Sequence, residues 1–171
     1  KVASIQAARM QVYFIDNDYY FGRRDGAIYG SMDDGERFAF FSKACMDAMV
    51  AVDYIPDVIQ CNDWQTALVP TLLKAQYSSL YPNTKCMYTI HNIEYQGKYS
   101  LDIIEDLFGI DKYYTGLLEY HGCINLMKAA IECSERFSTV SPTYANEIKT
   151  AQYAHGLQDI ICKNANKLTG I

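Results

Sequence analysis

The chain of 171 residues is short of positive charge, has only three histidines and carries no glycine-rich phosphate loop. Each shortage removes a class of function. Lys and Arg number 15 against 20 Asp and Glu, a net charge of −5, so the basic face that nucleic-acid binding requires is missing. A polybasic membrane contact is excluded with it. No apolar run is long enough to span a bilayer, because Asp, Lys or Gln interrupts each within about ten residues. The opening "KVASIQAARMQVYF" lacks the order of charged, apolar and small residues that marks a signal peptide. Neither GxGxxG nor a Walker loop occurs, which argues against a nucleotide-dependent oxidoreductase, and no GxSxG elbow is present. His91, His121 and His155 are too scattered for a zinc triad, so no metal is expected. Six cysteines form no CxxC pair and sit mostly among apolar neighbours, as small hydrophobes do. That usage implies a reducing, cytoplasmic setting.

Half of the chain is apolar, enough for one good core, and one domain is expected over 1–171. Fifteen tyrosines suit either half-buried packing or a surface for polar ligands such as sugars. Four runs read as strands: "QVYFID" (11–16), "DVIQC" (57–61), "KCMYTI" (85–90) and "RFSTV" (136–140). A polar, Gly-containing loop follows the first of them. Apolar residues at 38, 41, 45, 48 and 52 predict one helical face, with Asp33 four residues before Arg37 supporting the helix start. Helical periodicity returns from Trp64, with a kink expected at Pro70, which cannot donate to the carbonyl of Thr66. Short helices are expected near 100–107, 111–118 and 124–133, and a longer one from Ser141 with Pro142 in its first turn. Strands alternating with helices at this spacing predict an α/β fold, a partial Rossmann-like parallel sheet with crossover helices.

In open parallel sheets, ligands bind beyond the carboxyl ends of the strands. Those ends deliver Asp16 and Asn17, then Asn62, Asp63 and Trp64, then His91, Asn92 and Tyr95, and last Ser141. Each residue has a plainer reading. Asn62, with Gln65 three residues on, resembles a capping box. His91 suits a core histidine, Asn92 a turn, Trp64 and Tyr95 packing, and Gly97 a positive φ. His121 and His155 have no partners at ligand spacing and read as structural or exposed.

Five blocks carry a resemblance: "VYFIDNDYYFGR", "YGSMDDGERFAFFSKA", "VIQCNDWQTALVPTLLK", "YTIHNIEYQGKY" and "STVSPTYANEI". In this order and spacing they closely resemble the N-terminal half of bacterial glycogen synthases and plant starch synthases, retaining glycosyltransferases of GT-B architecture. The resemblance covers nearly the whole chain. It implies an internal piece of the N-terminal catalytic domain, without the family's Lys-Thr-Gly-Gly loop and its second Rossmann-like domain, and inactive alone. It also implies transfer of glucose from ADP-glucose or UDP-glucose to the 4-hydroxyl of an α-1,4-glucan, with no cofactor. His91 then matches the histidine beside the transferred glucose and Asp63 an active-site aspartate. Tyr29, Asn92, Tyr95 and Trp64 match substrate-binding or supporting positions, while Ser141 and Pro142 match a structural segment of the cleft wall. Gln60 and Gln65 stand where relatives often have histidine, so any proton that residue carries is lost here. A non-catalytic carbohydrate-binding α/β domain is the alternative. A sheet without its first strand has an unpaired edge, which predicts self-association of the isolated chain.

Overall fold

The computed structural model describes residues 1–7, 9–22 and 28–171. Part of the polar loop expected after the first strand, 23–27, lies outside the described residues. The strands β1 (Val2–Ala7) and β2 (Met10–Ile15) lead to helix α1 (Asp34–Ala51), strand β3 (Val58–Asn62) and helices α2 (Asp63–Thr66) and α3 (Leu68–Leu72). Next come β4 (Lys85–Ile90), β5 (Lys98–Tyr99), α4 (Ile103–Asp106), α5 (Thr115–Leu118), β6 (Glu119–Tyr120) and β7 (Cys123–Asn125). The chain ends through α6 (Leu126–Cys133), β8 (Arg136–Thr139), α7 (Pro142–Glu147), α8 (Gln158–Lys163) and β9 (Leu168–Gly170).

The centre is a parallel sheet in the order β3-β4-β8-β9. Its register stacks Cys61, Tyr88 and Phe137 across one face, where they meet Leu68, Leu72, Met127 and Ile131 of the helices. On β3 the alternate residues Val58, Gln60 and Asn62 are exposed, as the period of two demands. The expected strands 57–61, 85–90 and 136–140 are β3, β4 and β8. The fourth parallel strand is β9, inside "KLTGI". Only a glycine fits at 170, where a Cβ would lie 2.3 Å from the Ser141 carbonyl oxygen.

The run 11–16 does not join this sheet. It is β2, paired antiparallel with β1 in a separate hairpin (Val2↔Ile15 to Ala7↔Met10). Asp16 therefore exchanges backbone hydrogen bonds with Lys1, and Asn17 Oδ1 accepts the Tyr20 N–H in a local turn. Neither stands at the carboxyl edge of the parallel sheet. A three-stranded antiparallel sheet (β5-β7-β6) also lies in the segment expected to hold only helices.

The helix around 33–52 is α1, but its face is rotated from the expected one. Phe38, Ala39, Ser42 and Met46 are buried, whereas Phe41, Cys45, Ala48 and Val52 line a cavity of about 540 Å³ beneath the hairpin. Arg37 pairs with Asp34, one residue later than the expected Asp33. Pro70 breaks its helix: α2 ends at Thr66, to whose carbonyl proline has no N–H to donate, and α3 resumes at Leu68. Pro142 takes the first turn of α7, with Ser141 Oγ accepting the Tyr144 N–H as the N-cap.

Candidate active site

The β3–α2 junction and the end of β4 are tied by one carboxylate. Asp63 Oδ1 accepts the backbone N–H of His91 at 2.8 Å and of Asn92 at 3.4 Å. Asp63 itself adopts a left-handed φ of 54°, at a cost of roughly 1 kcal/mol for a residue with a Cβ. The charge-assisted bonds it accepts offset that strain. Asn62 does not cap α2 with its side chain. Its Oδ1 lies 3.2 Å from His91 Nε2, within hydrogen-bond reach. The capping-box reading of Asn62 therefore gives way to a contact with His91. His91 is exposed, so it is not a core histidine.

Beyond His91 the chain turns back on itself. The Ile93 N–H donates to Tyr144 Oη, and Asn92 Oδ1 accepts the Glu94 N–H. Gly97 has the expected positive φ, 66°, and a Cβ there would press on Leu126 and on the Trp64 ring. Trp64 packs edge-on against Phe38, with ring centroids 5.0 Å apart, so its packing role holds.

Opposite stands the loop before α1. Asp34 Oδ2 accepts the N–H groups of Gly30 (2.6 Å) and Ser31 (3.1 Å), and its Oδ1 pairs with Arg37 Nη1 at 2.8 Å. Arg37 is 1% exposed and donates Nε to the Tyr20 carbonyl. Its guanidinium lies 5.2 Å from the Phe21 ring centroid. This clamp fixes the backbone that carries Tyr29. Tyr20 donates its hydroxyl to Glu36 (2.6 Å), and that bond, with burial second, pushes its pKa up to about 12.

Between these walls lies a cavity of about 850 Å³ lined by Tyr29, Asp63, Trp64, Asn92 and Tyr95. Five of the six expected site residues thus share one cleft. His91 does not line it. It borders a smaller depression of about 290 Å³ over the strand ends, with Gln60, Asn62, Thr89 and Ser138. Gln65 faces the large cleft and Gln60 the small one. Sequence reasoning missed Asp34, Lys98 and Tyr99, which also line the large cleft. Burial, followed by the charge of Asp34, raises the Tyr99 phenol to about 12. The i, i+3 spacing of Asp34 and Arg37 in "DDGER" was the available signal for the clamp.

Hydrogen-bonding side chains gathered at the carboxyl ends of a parallel sheet define the ligand-binding edge of an open α/β fold. The comparisons agree. A profile described as the starch synthase catalytic domain matches residues 1–163. The glycogen synthase of Streptococcus agalactiae serotype Ia is 49% identical over 163 residues, covering 93% of this chain and 34% of the relative. That of Clostridioides difficile is 45% identical over 168 residues, covering 95% and 35%. Among solved structures, the catalytic domain of Starch Synthase IV from Arabidopsis thaliana bound to ADP and acarbose superposes with a TM-score of 0.88 at 31% identity, covering 99% of this chain and 36% of that one. The chain belongs to the glycogen and starch synthase family. It spans about a third of the length of the curated relatives it matches.

Proposed function

We propose that the protein containing this chain is a glycogen synthase, transferring glucose from ADP-glucose to the 4-hydroxyl of an α-1,4-glucan with retention of configuration. The observation that carries the reading is the large cleft, in chains of this family, joined through Asp63 to the exposed His91. The relative with the superposable fold is described as bound to ADP and acarbose, which supports an adenine nucleotide donor. Among the cleft's described residues, Asp63 and Glu94 stand against one ammonium, Lys98, while Asp34 is paired with Arg37. A diphosphate would be repelled by that balance. The cleft therefore takes sugar, and the phosphates fall to parts of the full-length protein beyond these residues.

In this assignment His91 stands beside the transferred glucose, where its ring and carbonyl oxygen stabilise the positive charge that develops at the anomeric carbon. Asp63 holds His91 and Asn92 in position, while Tyr29, Asn92, Tyr95 and Trp64 bind or flank the sugar. Among the described residues no side chain is placed as an obvious nucleophile, which favours front-face transfer driven by positioning and electrostatics. Six free thiols support a cytoplasmic setting. Among the described residues no helix is long and apolar enough to cross a membrane.

The test assays the full-length protein with ADP-glucose, UDP-glucose and glycogen, beside its His91→Ala form. The expected result is elongation from ADP-glucose that falls by at least about a hundredfold in the variant, with circular dichroism unchanged. Elongation unaffected by the variant removes His91 from the site. Glucan binding with no transfer from either donor makes the protein a carbohydrate-binding module instead.

A further inference from the structure

His91 sits at the head of a segment, residues 91–97, that belongs to neither helix nor strand. No ladder fixes its backbone, so side chains have to supply the bonds. The two ends are well held. Asp63 accepts the N–H groups of His91 and Asn92. At the other end the start of α6 donates from Leu126 and Met127 to the carbonyls of Gly97 and Gln96. Between them Ile93 and Gln96 are buried, three residues apart, while His91, Asn92, Glu94 and Tyr95 are all exposed. The middle of the segment rests on Ile93.

Ile93 is held from two directions. Its N–H donates to Tyr144 Oη at 3.1 Å, and its carbonyl accepts Gln96 Nε2 at 3.0 Å. Gln96 is itself fixed, since Nε2 also donates to the His155 carbonyl and Oε1 accepts Asn125 Nδ2. Tyr144 is placed by the residues that start its helix. β8 ends at Thr139, Ser141 caps α7 and Pro142 opens it, so Tyr144 falls in the first turn. Just before, Thr139 Oγ1 donates to the Ile90 carbonyl at 2.9 Å. The end of β4 and the residue after Asn92 are thus both tied to one short stretch, 139–144. Ile93 is 1% exposed, so its N–H has no ready water to replace a lost acceptor.

We propose that Tyr144 is a positioning residue for glucosyl transfer: its hydroxyl holds the segment at Ile93, which fixes where His91 stands. The inference rests on the placement of His91 beside the transferred glucose argued above. Tyr144 lines neither the large cleft nor the depression at His91, so it acts through the backbone and not on the sugar. A reacting group displaced by about 1 Å can cost on the order of a hundredfold in rate. Contacts that bind substrate and transition state equally are untouched by such a shift. The loss therefore falls on kcat rather than on KM.

The experiment measures glycogen elongation from ADP-glucose by the full-length protein, with Tyr144→Phe, His91→Ala and the two together. Tyr144→Phe keeps the ring that packs against the core and removes only the hydroxyl. The expected result is a kcat lowered about tenfold, with the KM values for ADP-glucose and glycogen within about twofold of wild type. On the His91→Ala background the same change is expected to lower kcat less than about twofold, because the group it positions is gone. An equal fall on both backgrounds overturns the proposal, as does an unchanged kcat or a loss confined to KM. Backbone hydrogen exchange supplies a readout independent of activity. Tyr144→Phe is expected to exchange about tenfold faster over 91–97, with β8 and α6 as in wild type. Unchanged exchange over 91–97 overturns the proposal. Wild-type protein that transfers no glucose sinks the functional reading alone, and the exchange measurement then decides whether Tyr144 fixes His91.

Discussion

The hairpin β1–β2 and the parallel sheet β3-β4-β8-β9 are written in the same residue types and end in opposite environments. "QVYFI" is as β-branched and aromatic as "KCMYTI", yet no residue of β2 is buried, while four of the six in β4 are. Val2, Ile5, Met10, Tyr13 and Phe14 all stand exposed on the hairpin. The difference lies in neighbours. β4 has a strand on each side and helices over it, whereas the hairpin has its own two strands and, at one side, α1. Strand propensity describes a residue that suits a pleated surface. Which strands are then covered is decided by topology.

Truncation tests that contrast most severely. Phe137, on β8, is 1% exposed at the centre of the core, and Phe137→Ala is expected to cost about 4 kcal/mol through lost burial and the cavity left behind. Phe14→Ala on the hairpin is expected to cost less than about 0.5 kcal/mol. Urea denaturation of the full-length protein measures both, and equal losses would mean that the hairpin is covered as deeply as the sheet.

The join between the two regions comes next in size. Asp34 holds the loop after the hairpin by two backbone N–H groups and neutralises the buried Arg37. Asp34→Asn keeps the shape but leaves a buried cation without its counter-charge, at about 3 kcal/mol. Because Tyr29 rides on that loop, the variant is also expected to raise the KM for the sugar donor several-fold. A stability loss with donor KM unchanged would detach Tyr29 from the site.

The same residues show what a sequence can and cannot reveal. β3, β4 and β8 were legible because apolar runs bounded by Pro, Asn and Asp leave few alternatives. His91 was legible as the residue following β4 for the same reason. The hairpin partnership was not, although its pairing is local (Ala7↔Met10), because Ala8-Arg9 between the strands offers none of the Gly or Asn signals of a tight turn. Asp63 was legible as a site candidate, but its actual work, accepting the N–H groups of His91 and Asn92, depends on a left-handed φ that nothing in "CNDWQ" announces. The rotated face of α1 failed for a different reason: the helix is apolar on two sides, and periodicity alone cannot say which side meets the core.

Acid separates the two regions by a smaller amount. Burial by itself would raise the pKa of Glu132, but the ammonium groups of Lys128 and Lys163 outweigh it and hold the carboxyl below its ordinary value. A folded-state pKa below the unfolded one, about 4.3, contributes stability that is complete above the unfolded value. That contribution is lost as pH falls through the folded value. Glu132→Gln, in the helix layer of the sheet, is therefore expected to cost about 1 kcal/mol near neutral pH, since solvent screens the exposed Lys163, with the gap from wild type narrowing as pH falls below about 4.3. Denaturation midpoints across that range measure it. A gap independent of pH would assign the loss to packing rather than charge.

The smallest effect reverses the sign. Tyr88 is 0% exposed on β4, and its hydroxyl has no hydrogen-bond partner among the described residues. Burial, with the nearby Asp63 second, pushes its pKa well up, so the phenol stays neutral and its desolvation is uncompensated. Removing a buried, unpaired polar atom while keeping the ring is stabilising by up to about 1 kcal/mol, and Tyr88→Phe is expected to raise the denaturation midpoint accordingly. Tyr13→Phe on the exposed hairpin is expected to change nothing measurable, because that residue is already exposed. Should Tyr88→Phe destabilise instead, its hydroxyl has a partner in the full-length protein, and the ring beneath Asp63 is part of how the site is held.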